Sequence, residues 1–186
     1  MTLQQSKFEV WIDGEIRDGQ GRLLKKLRPK RARSYVLQFL DLLNIIIGYA
    51  TLTITDTGGV GRSQAPYAAL MRVDAGAAIT TYGILVGTGT NPVALADYAL
   101  QTQVTTNVAH SSVTIAAPTT DGTTRLFEIT RTFTNNTGAT LNITEVGLAG
   151  MGGSSNYKYM IDRTLYSVTV NSGASVSLRY RIKITV

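Results

Sequence analysis

Residues 124–148, TRLFEITRTFTNNTGATLNITEVGL, constrain the fold of this chain more than any other segment. The first half alternates apolar-face and polar positions, which is the period-2 pattern of a half-buried strand. The turn residues 135–138, NNTG, follow, and Asn and Gly tolerate the positive φ that a tight turn requires. With a return strand starting near Leu141, the pattern predicts a β-hairpin. One face of its first strand carries Phe127, Ile129, Arg131 and Phe133.

Other segments also show strand patterns, and turns rich in Gly and Asn separate them. In residues 175–186, apolar residues alternate with cations, so a slip of one residue would bury Arg179, Arg181 and Lys183. Thr and Gly are abundant, which favours strands and turns over helices. We predict a mainly β chain, an antiparallel two-sheet β-sandwich of jelly-roll or Ig-like type. An N-terminal β-hairpin with a basic arm and one apolar α-helix would complete it.

Positive charge is concentrated near the N-terminus. The net charge is +6, and residues 1–34 contribute +5 of it. Residues 22–33, RLLKKLRPKRAR, contain seven cations and no acid. The first half of this run could pair as a strand with the strand predicted before it, and Pro29 ends that strand or places it at a sheet edge. The run is either a solvated edge or a contact for nucleic acid or another polyanion. The candidate contacts are Arg22, Lys25, Lys26, Arg28, Lys30, Arg31 and Arg33. No aromatic residues interleave them, so base stacking on this stretch is not supported.

The pattern of residues 34–48 predicts one helix, with Ser34 as its N-cap. Polar residues form one narrow stripe, and nearly all other positions are apolar. A helix that is apolar around most of its girth is buried on most sides. We therefore expect it to pack on the sandwich and on a neighbouring subunit. The candidate assembly contacts are Tyr35, Phe39, Leu42, Leu43 and Ile46.

Two other interpretations of this apolar run are weaker. A membrane span is disfavoured because the run is short and Asp41 and Asn44 interrupt it. A signal peptide would need an n-region of over 30 residues that is itself strand-like. We expect no membrane partner. The chain then divides into an N-terminal arm, residues 1–50, and a sandwich body, residues 51–186, with a long loop at 56–80.

Three charged residues in the predicted strands need partners. Arg131 and Arg163 fall on the apolar faces of their strands, and Glu145 lies on the return strand of the hairpin. A charge on an apolar face must be paired and hydrogen-bonded. We therefore predict that Glu145 pairs with Arg131 or Arg163 in a structural ion pair that fixes strand register.

Few residues could carry catalysis. The chain has no Cys and one His, which excludes a His-based metal cluster within one chain. No nucleophile elbow accompanies His110, which we expect at the surface or in a loop. The segment 87–92, GTGTNP, lacks the third Gly of a dinucleotide-binding fingerprint. We therefore expect no catalytic residues, no metal, no cofactor and no enzyme activity.

The order of several motifs resembles that of virion structural proteins of tailed bacteriophages and related prokaryotic viruses. These motifs are a GTGT turn, a DYAL loop, an RTFxN hairpin, an ExGL strand and a closing VTVxxG strand pair. They lie in YGILVGTGTNPVALADYALQTQV, FEITRTFTNNTGATLNITEVGLAG and MIDRTLYSVTVNSGASVSLRYRIKITV, and the resemblance covers about residues 82–186. The family includes capsid, decoration, neck and tail components.

The resemblance implies a structural subunit of a virus particle, located in the virion, and supplies no catalytic residues. Its partners would be further copies of itself and other virion proteins. If the protein lines the shell, residues 22–33 would face the packaged nucleic acid. The alternative is a surface-exposed binding module, such as a fibre or a carbohydrate-binding β-sandwich. Its aromatic face would consist of Tyr157, Tyr159, Tyr166 and Tyr180, although their inward alternation favours the core.

Overall fold

A computed structural model describes residues 7–32, 34–48, 51–66, 71–152 and 156–186. Within them the chain is mainly β, with antiparallel sheets and one helix, as the sequence predicts. The N-terminal half contains β1 (Lys7–Arg17), β2 (Leu23–Arg31), α1 (Leu37–Gly48), β3 (Leu52–Thr55), β4 (Gly61–Gln64) and β5 (Gly83–Gly87). The remainder contains β6 (Val108–His110), β7 (Thr114–Ile115), β8 (Thr119–Asp121), β9 (Thr124–Asn135), β10 (Leu141–Gly152), β11 (Tyr157–Val170) and β12 (Ser175–Thr185).

The larger sheet, sheet A, has the order β2-β1-β12-β9-β6, and the short strands β7 and β8 also pair with β9. Strand β12 pairs with β1 on one side and with β9 on the other along its whole length. The alternation predicted for this strand is confirmed. Val176, Leu178 and Tyr180 are buried on one face. Arg179 and Arg181 form ion pairs on the opposite face.

Sheet B has the order β11-β10-β5, and it shares one apolar core with sheet A. Sheet A contributes Ile12, Phe133 and Leu178 among others, and sheet B contributes Ile143, Val146 and Val168. Because one face of each sheet supplies this core, the arrangement is sandwich-like. The choice between a jelly-roll and an Ig-like topology stays a prediction.

The predicted hairpin is wrong in its pairing. Strands β9 and β10 form where the alternation indicates, but β9 pairs with β12 whereas β10 pairs with β11 and β5. The chain therefore crosses from sheet A to sheet B between them. Buried Asn135 fixes the crossing, because its Nδ2 donates to the carbonyls of Ala139 (2.7 Å) and Val170 (2.9 Å). Gly138 supplies the positive φ of 80°.

The strands of the predicted arm, residues 1–50, are part of the body rather than a separate unit. Strand β1 lies between β2 and β12 in sheet A. Pro29 is tolerated because β2 is an edge strand, where a missing N–H costs no ladder bond. The predicted long loop 56–80 contains β4, which pairs with β3, and residues 67–70 of it lie outside the described residues.

Arg131 on β9 is 1 % exposed and has no carboxylate partner among the described residues. Its guanidinium donates instead to five backbone carbonyls. They belong to Ser111 (2.9 Å), Ile84 (3.0 Å), Tyr82 (3.2 Å), Gly76 (3.3 Å) and Ile79. One side chain of sheet A thereby holds β5 of sheet B and the irregular segment before it.

Replacing Arg131 by Ala should lower the free energy of unfolding by about 3 kcal/mol, because buried carbonyls lose their donor. Urea titration followed by Trp11 fluorescence measures this. The control is Arg125→Ala on the same strand, where an exposed guanidinium has one hydrogen bond, to Thr120. The control should change stability by about 0.5 kcal/mol or less. Equal losses in both variants would show that Arg131 does not hold the sheets.

Candidate functional site

Helix α1 uses one side to pack on its own chain. Gln38, Leu42 and Ile45 are its buried residues. Leu42 and Ile45 contact Ile54 of β3 and Tyr159 of β11 in a small apolar cluster. This side anchors the helix to both sheet B and the β3–β4 hairpin.

The opposite side of α1 is also apolar, but it is open to solvent. Leu40 is 59 % exposed and Ile47 is 80 % exposed, and Leu43 between them is half-buried. Residues at this spacing lie along one side of a helix. We call Leu40, Leu43 and Ile47 the outer helix face. It has no partner in the described part of the chain.

The predicted assembly residues divide between these sides. Leu42 is 0 % exposed, so the expectation that it contacts a neighbouring subunit is wrong. Tyr35 and Phe39 stack at 4.8 Å and pack, partly buried, against the main core. Leu43 and Ile46 retain exposed surface. Sequence reasoning missed Leu40 and Ile47, because a helix that is apolar nearly all round does not reveal which side faces inward.

The predicted polyanion contacts lie on edge strand β2 and its flanks. Arg22 pairs with Asp18 at 2.7 Å, and Arg31 pairs with Glu9. Lys30 donates to a backbone carbonyl of β11. The remaining described cations, Lys25, Lys26 and Arg28, are exposed and have no ion pair within the described residues. Arg33 lies outside those residues.

The register between β1 and β2 sends these cations to two different faces. Lys25 lies opposite Ile16 and Lys30 lies opposite Ile12, both of which point into the core. Directly paired residues share a face of the sheet, so these lysines lie on the side of sheet B. Lys26 lies opposite Glu15 and therefore on the outer side of sheet A.

The outer side of sheet A carries acids that match its cations. Glu9 lies against Lys7 and Lys183, which hold its pKa at about 2 although burial opposes the shift. Ion pairs also join Asp13 to Arg179 (2.7 Å) and Arg181 (3.2 Å), and Glu128 to Arg181 (2.8 Å). Such cross-strand pairs fix register.

Glu145, on β10, is fully buried and pairs with Arg163 rather than with Arg131. Arg163 Nε donates to Glu145 Oε2 at 2.7 Å. The same guanidinium donates from Nη1 to Asp97 Oδ2 at 2.8 Å and from Nη2 to the carbonyl of Asn91 at 3.2 Å. These carboxylates favour the charged form of Arg163 and raise its pKa although burial opposes them.

The ion pair lies under the loop of residues 88–104. Glu145 accepts hydrogen bonds from the backbone N–H groups of Gly89 (3.1 Å), Gln101 (3.1 Å) and Thr102 (2.8 Å). A Cβ at residue 89 would lie 2.5 Å from Glu145 Oε1, so a larger residue does not fit there without a shift. Leu100 of this loop packs on the side of sheet B that faces away from sheet A. The pair therefore holds a covering loop rather than the inter-sheet core.

The four tyrosines that could have formed an aromatic binding face are mostly inaccessible. Tyr159 and Tyr180 are 0 % exposed and Tyr166 is 6 % exposed. Tyr157 is half-buried, and the Arg62 guanidinium lies over its ring at 4.4 Å. These four side chains do not form an exposed recognition surface.

His110 and Asp162 are buried titratable groups. The expectation that His110 lies at the surface or in a loop is wrong, because it ends β6 and is 5 % exposed. Burial, followed by the charge of Arg131, lowers the pKa of His110 to about 4. Burial raises the pKa of Asp162 to about 6, although Tyr180 Oη (2.9 Å) and Thr164 Oγ1 (3.0 Å) donate to its Oδ2.

Comparisons with known proteins do not indicate a function, so it has to be inferred from the surfaces of this protein. No protein-family model matches the chain, and neither a curated protein nor a solved structure matches it. Within the described residues, no group of three or more His, Cys, Asp or Glu side chains could hold a metal ion. Among the same residues, no helix has the length and hydropathy that a membrane span requires.

Replacing Glu145 by Gln should lower the free energy of unfolding by about 3 kcal/mol or more, because Arg163 would lose a buried counter-charge. Urea titration measures the change, and limited proteolysis should show cleavage within residues 88–104. The matched control is Glu128→Gln, whose partner Arg181 is partly exposed, with an expected loss below about 1 kcal/mol. A Glu145→Gln protein with the parent's stability and cleavage pattern would refute this role.

His110 and Asp162 should affect acid stability in opposite directions. The pKa of His110 is lower in the folded state, so the unfolded state binds more protons and stability falls as pH drops from 6.5 towards 4. The pKa of Asp162 is higher in the folded state, so its contribution to stability grows as pH drops from about 6 towards 3.8.

Unfolding free energies measured across this pH range should therefore diverge between His110→Gln and Asp162→Asn. The first variant should lose less stability in acid than the parent protein, and the second should lose more. Glu9 is common to all three proteins, so its loss of stability below pH 4.5 cancels in the comparison. Parallel pH profiles would contradict the assignment.

Proposed function

We propose that the protein is a structural subunit of a virus particle and that it assembles with copies of itself. The observation that carries this proposal is the unpartnered outer helix face. A surface helix on a monomer normally presents polar residues to water, whereas Leu40 and Ile47 are 59 % and 80 % exposed. Apolar surface of this kind is typical of protein contacts.

The exposed apolar surface continues beyond the outer helix face. Leu37, at the start of α1, is 40 % exposed, and its N–H donates at 3.0 Å to the carbonyl of Leu95, which is 60 % exposed. Ile46 adds a further exposed side chain. Helix α1 and the loop that covers sheet B thus present a shared apolar area, and we expect a second copy of this chain to bury it.

The distribution of charge supports a role for the basic run that is distinct from the apolar contact. Residues 35–186 carry a net charge of only +1, so most of the net charge of +6 comes from residues 1–34. The basic run 22–33 supplies most of the positive charge, and its exposed cations are available to packaged nucleic acid. The resemblance to virion proteins of prokaryotic viruses agrees with this assignment. The protein is then a non-enzymatic component of the virion that contacts other virion proteins.

The double variant Leu40→Lys/Ile47→Lys should assemble less than the parent protein, because it places two charges in the proposed contact. Sedimentation velocity and negative-stain electron microscopy measure the oligomeric state. The control is Ile115→Lys/Ile184→Lys, which changes two apolar residues of sheet A that are 46 % and 49 % exposed. Both variants should keep the parent's circular dichroism. A parent protein that stays monomeric at high concentration, or a helix variant that assembles normally, would refute the proposal.

A further inference from the structure

Edge strand β2 of sheet A and edge strand β11 of sheet B border an open groove of about 420 Å³. Three cations line it, namely Lys25, Arg28 and Lys30. Leu27 and Tyr166 are among the other lining residues, and no acidic side chain is among them. Within the described residues, none of the three cations takes part in an ion pair. The groove is therefore a concentrated, uncompensated positive site.

The cations reach this groove because of strand register. Lys25 and Lys30 lie opposite Ile16 and Ile12, so they point to the side where sheet B lies. The register shifts between Ile12 and Gly14, where β2 bulges. A bulge re-aims side chains, and here the consecutive residues Arg28, Pro29 and Lys30 all line the groove. Lys26 lies on the other face, opposite Glu15.

Two hydrogen bonds join the walls of the groove. Tyr166 Oη donates to the carbonyl of Arg28 at 3.0 Å, and Lys30 Nζ donates to the carbonyl of Leu165 at 2.5 Å. Burial raises the pKa of Tyr166 to about 12, so the phenol stays neutral and adds no negative charge. The backbones that carry the cations are thus fixed before any ligand binds.

We propose that this groove binds the phosphate backbone of nucleic acid without reading its sequence. The proposal rests on the proposed function, in which nucleic acid is packaged, and it assigns the contact to Lys25, Arg28 and Lys30 within the basic run. The lining offers charge but no exposed aromatic face, since Tyr166 is 6 % exposed and its hydroxyl is engaged. Contacts to phosphates through such cations position a polymer but do not specify bases.

An acidic peptide fits this site less well than a phosphate backbone. A peptide could gain affinity by adding a strand to the edge of sheet A. Pro29 removes one donor from that edge, and the register of β2 is shifted at two places. Bulges and prolines of this kind block strand addition. A ligand that needs only closely spaced negative charges does not depend on that edge.

The test compares two triple variants that each remove three positive charges. The groove variant is Lys25→Gln/Arg28→Gln/Lys30→Gln. The matched control is Arg72→Gln/Arg125→Gln/Lys158→Gln, three cations outside the basic run, none of which lines the groove. The probe is a fluorescein-labelled oligothymidylate, and fluorescence anisotropy at several salt concentrations gives its affinity for the full chain. Poly-glutamate serves as the competing polyanion, and circular dichroism reports folding.

The groove variant should bind the oligothymidylate at least tenfold more weakly, and its slope of log affinity against log salt should fall by about 2. The control should keep most of the affinity and the slope. If the groove variant is misfolded, Lys25→Gln/Arg28→Gln retains the Lys30 hydrogen bond and should still weaken binding. Equal losses in both triple variants would overturn the proposal. So would absence of binding by the parent protein at low salt, or tighter binding of poly-glutamate than of the oligothymidylate.

These results separate the groove from the assembly proposal. Sedimentation velocity of the groove variant without nucleic acid should match the parent protein, because the cations lie outside the outer helix face. If assembly is normal but oligothymidylate does not bind, the groove assignment fails and the structural-subunit proposal stands. If oligothymidylate binds through the groove but the chain stays monomeric, the structural-subunit proposal fails and the groove remains.

Discussion

The carboxylate of Glu145 is the interaction on which the surface of sheet B depends. It is fully buried, and it accepts hydrogen bonds from Arg163 and from three backbone N–H groups of the loop at residues 88–104. That loop has few backbone ladder bonds of its own, so buried charge replaces regular pairing as its anchor. A buried charge that is fully hydrogen-bonded fixes geometry, because any displacement leaves an unpaired ion. The Arg163 partner of Glu145 also donates to Asp97, close to Leu95, whose carbonyl accepts from the N–H of Leu37 at the start of α1.

Arg131 is also a buried charge, but among the described residues it has no acidic partner. Five backbone carbonyls surround its guanidinium, which spans from β9 in sheet A to β5 in sheet B. With Asn135 at the crossing between the sheets, these polar groups set which strands face each other. The apolar core provides most of the driving force, but it is non-directional. The directional constraints between the two sheets come from these buried polar side chains.

The sequence predicts which segments are strands better than it predicts how they pair. Period-2 alternation places β9, β10 and β12 correctly, and the need to neutralise a buried charge brings Glu145 to Arg163. The crossing at residues 135–140 was not predictable, because a tight hairpin and an inter-sheet crossing both use Asn and Gly. The carbonyl partners of Arg131 come from an irregular segment with no periodic signal. Likewise, nothing in the pattern of residues 34–48 distinguishes Leu42 from Leu40.

Assembly and polyanion binding would reinforce each other through multivalency. A single groove with three cations contributes only a few phosphate contacts, and such binding weakens steeply as salt rises. A particle built from many copies presents many such grooves to one polymer. Linked weak sites then bind far more tightly than any one of them, provided that the geometry lets them engage together. In the proposed particle, an apolar contact between copies and a modest basic groove on each copy would therefore hold nucleic acid without any strong individual site.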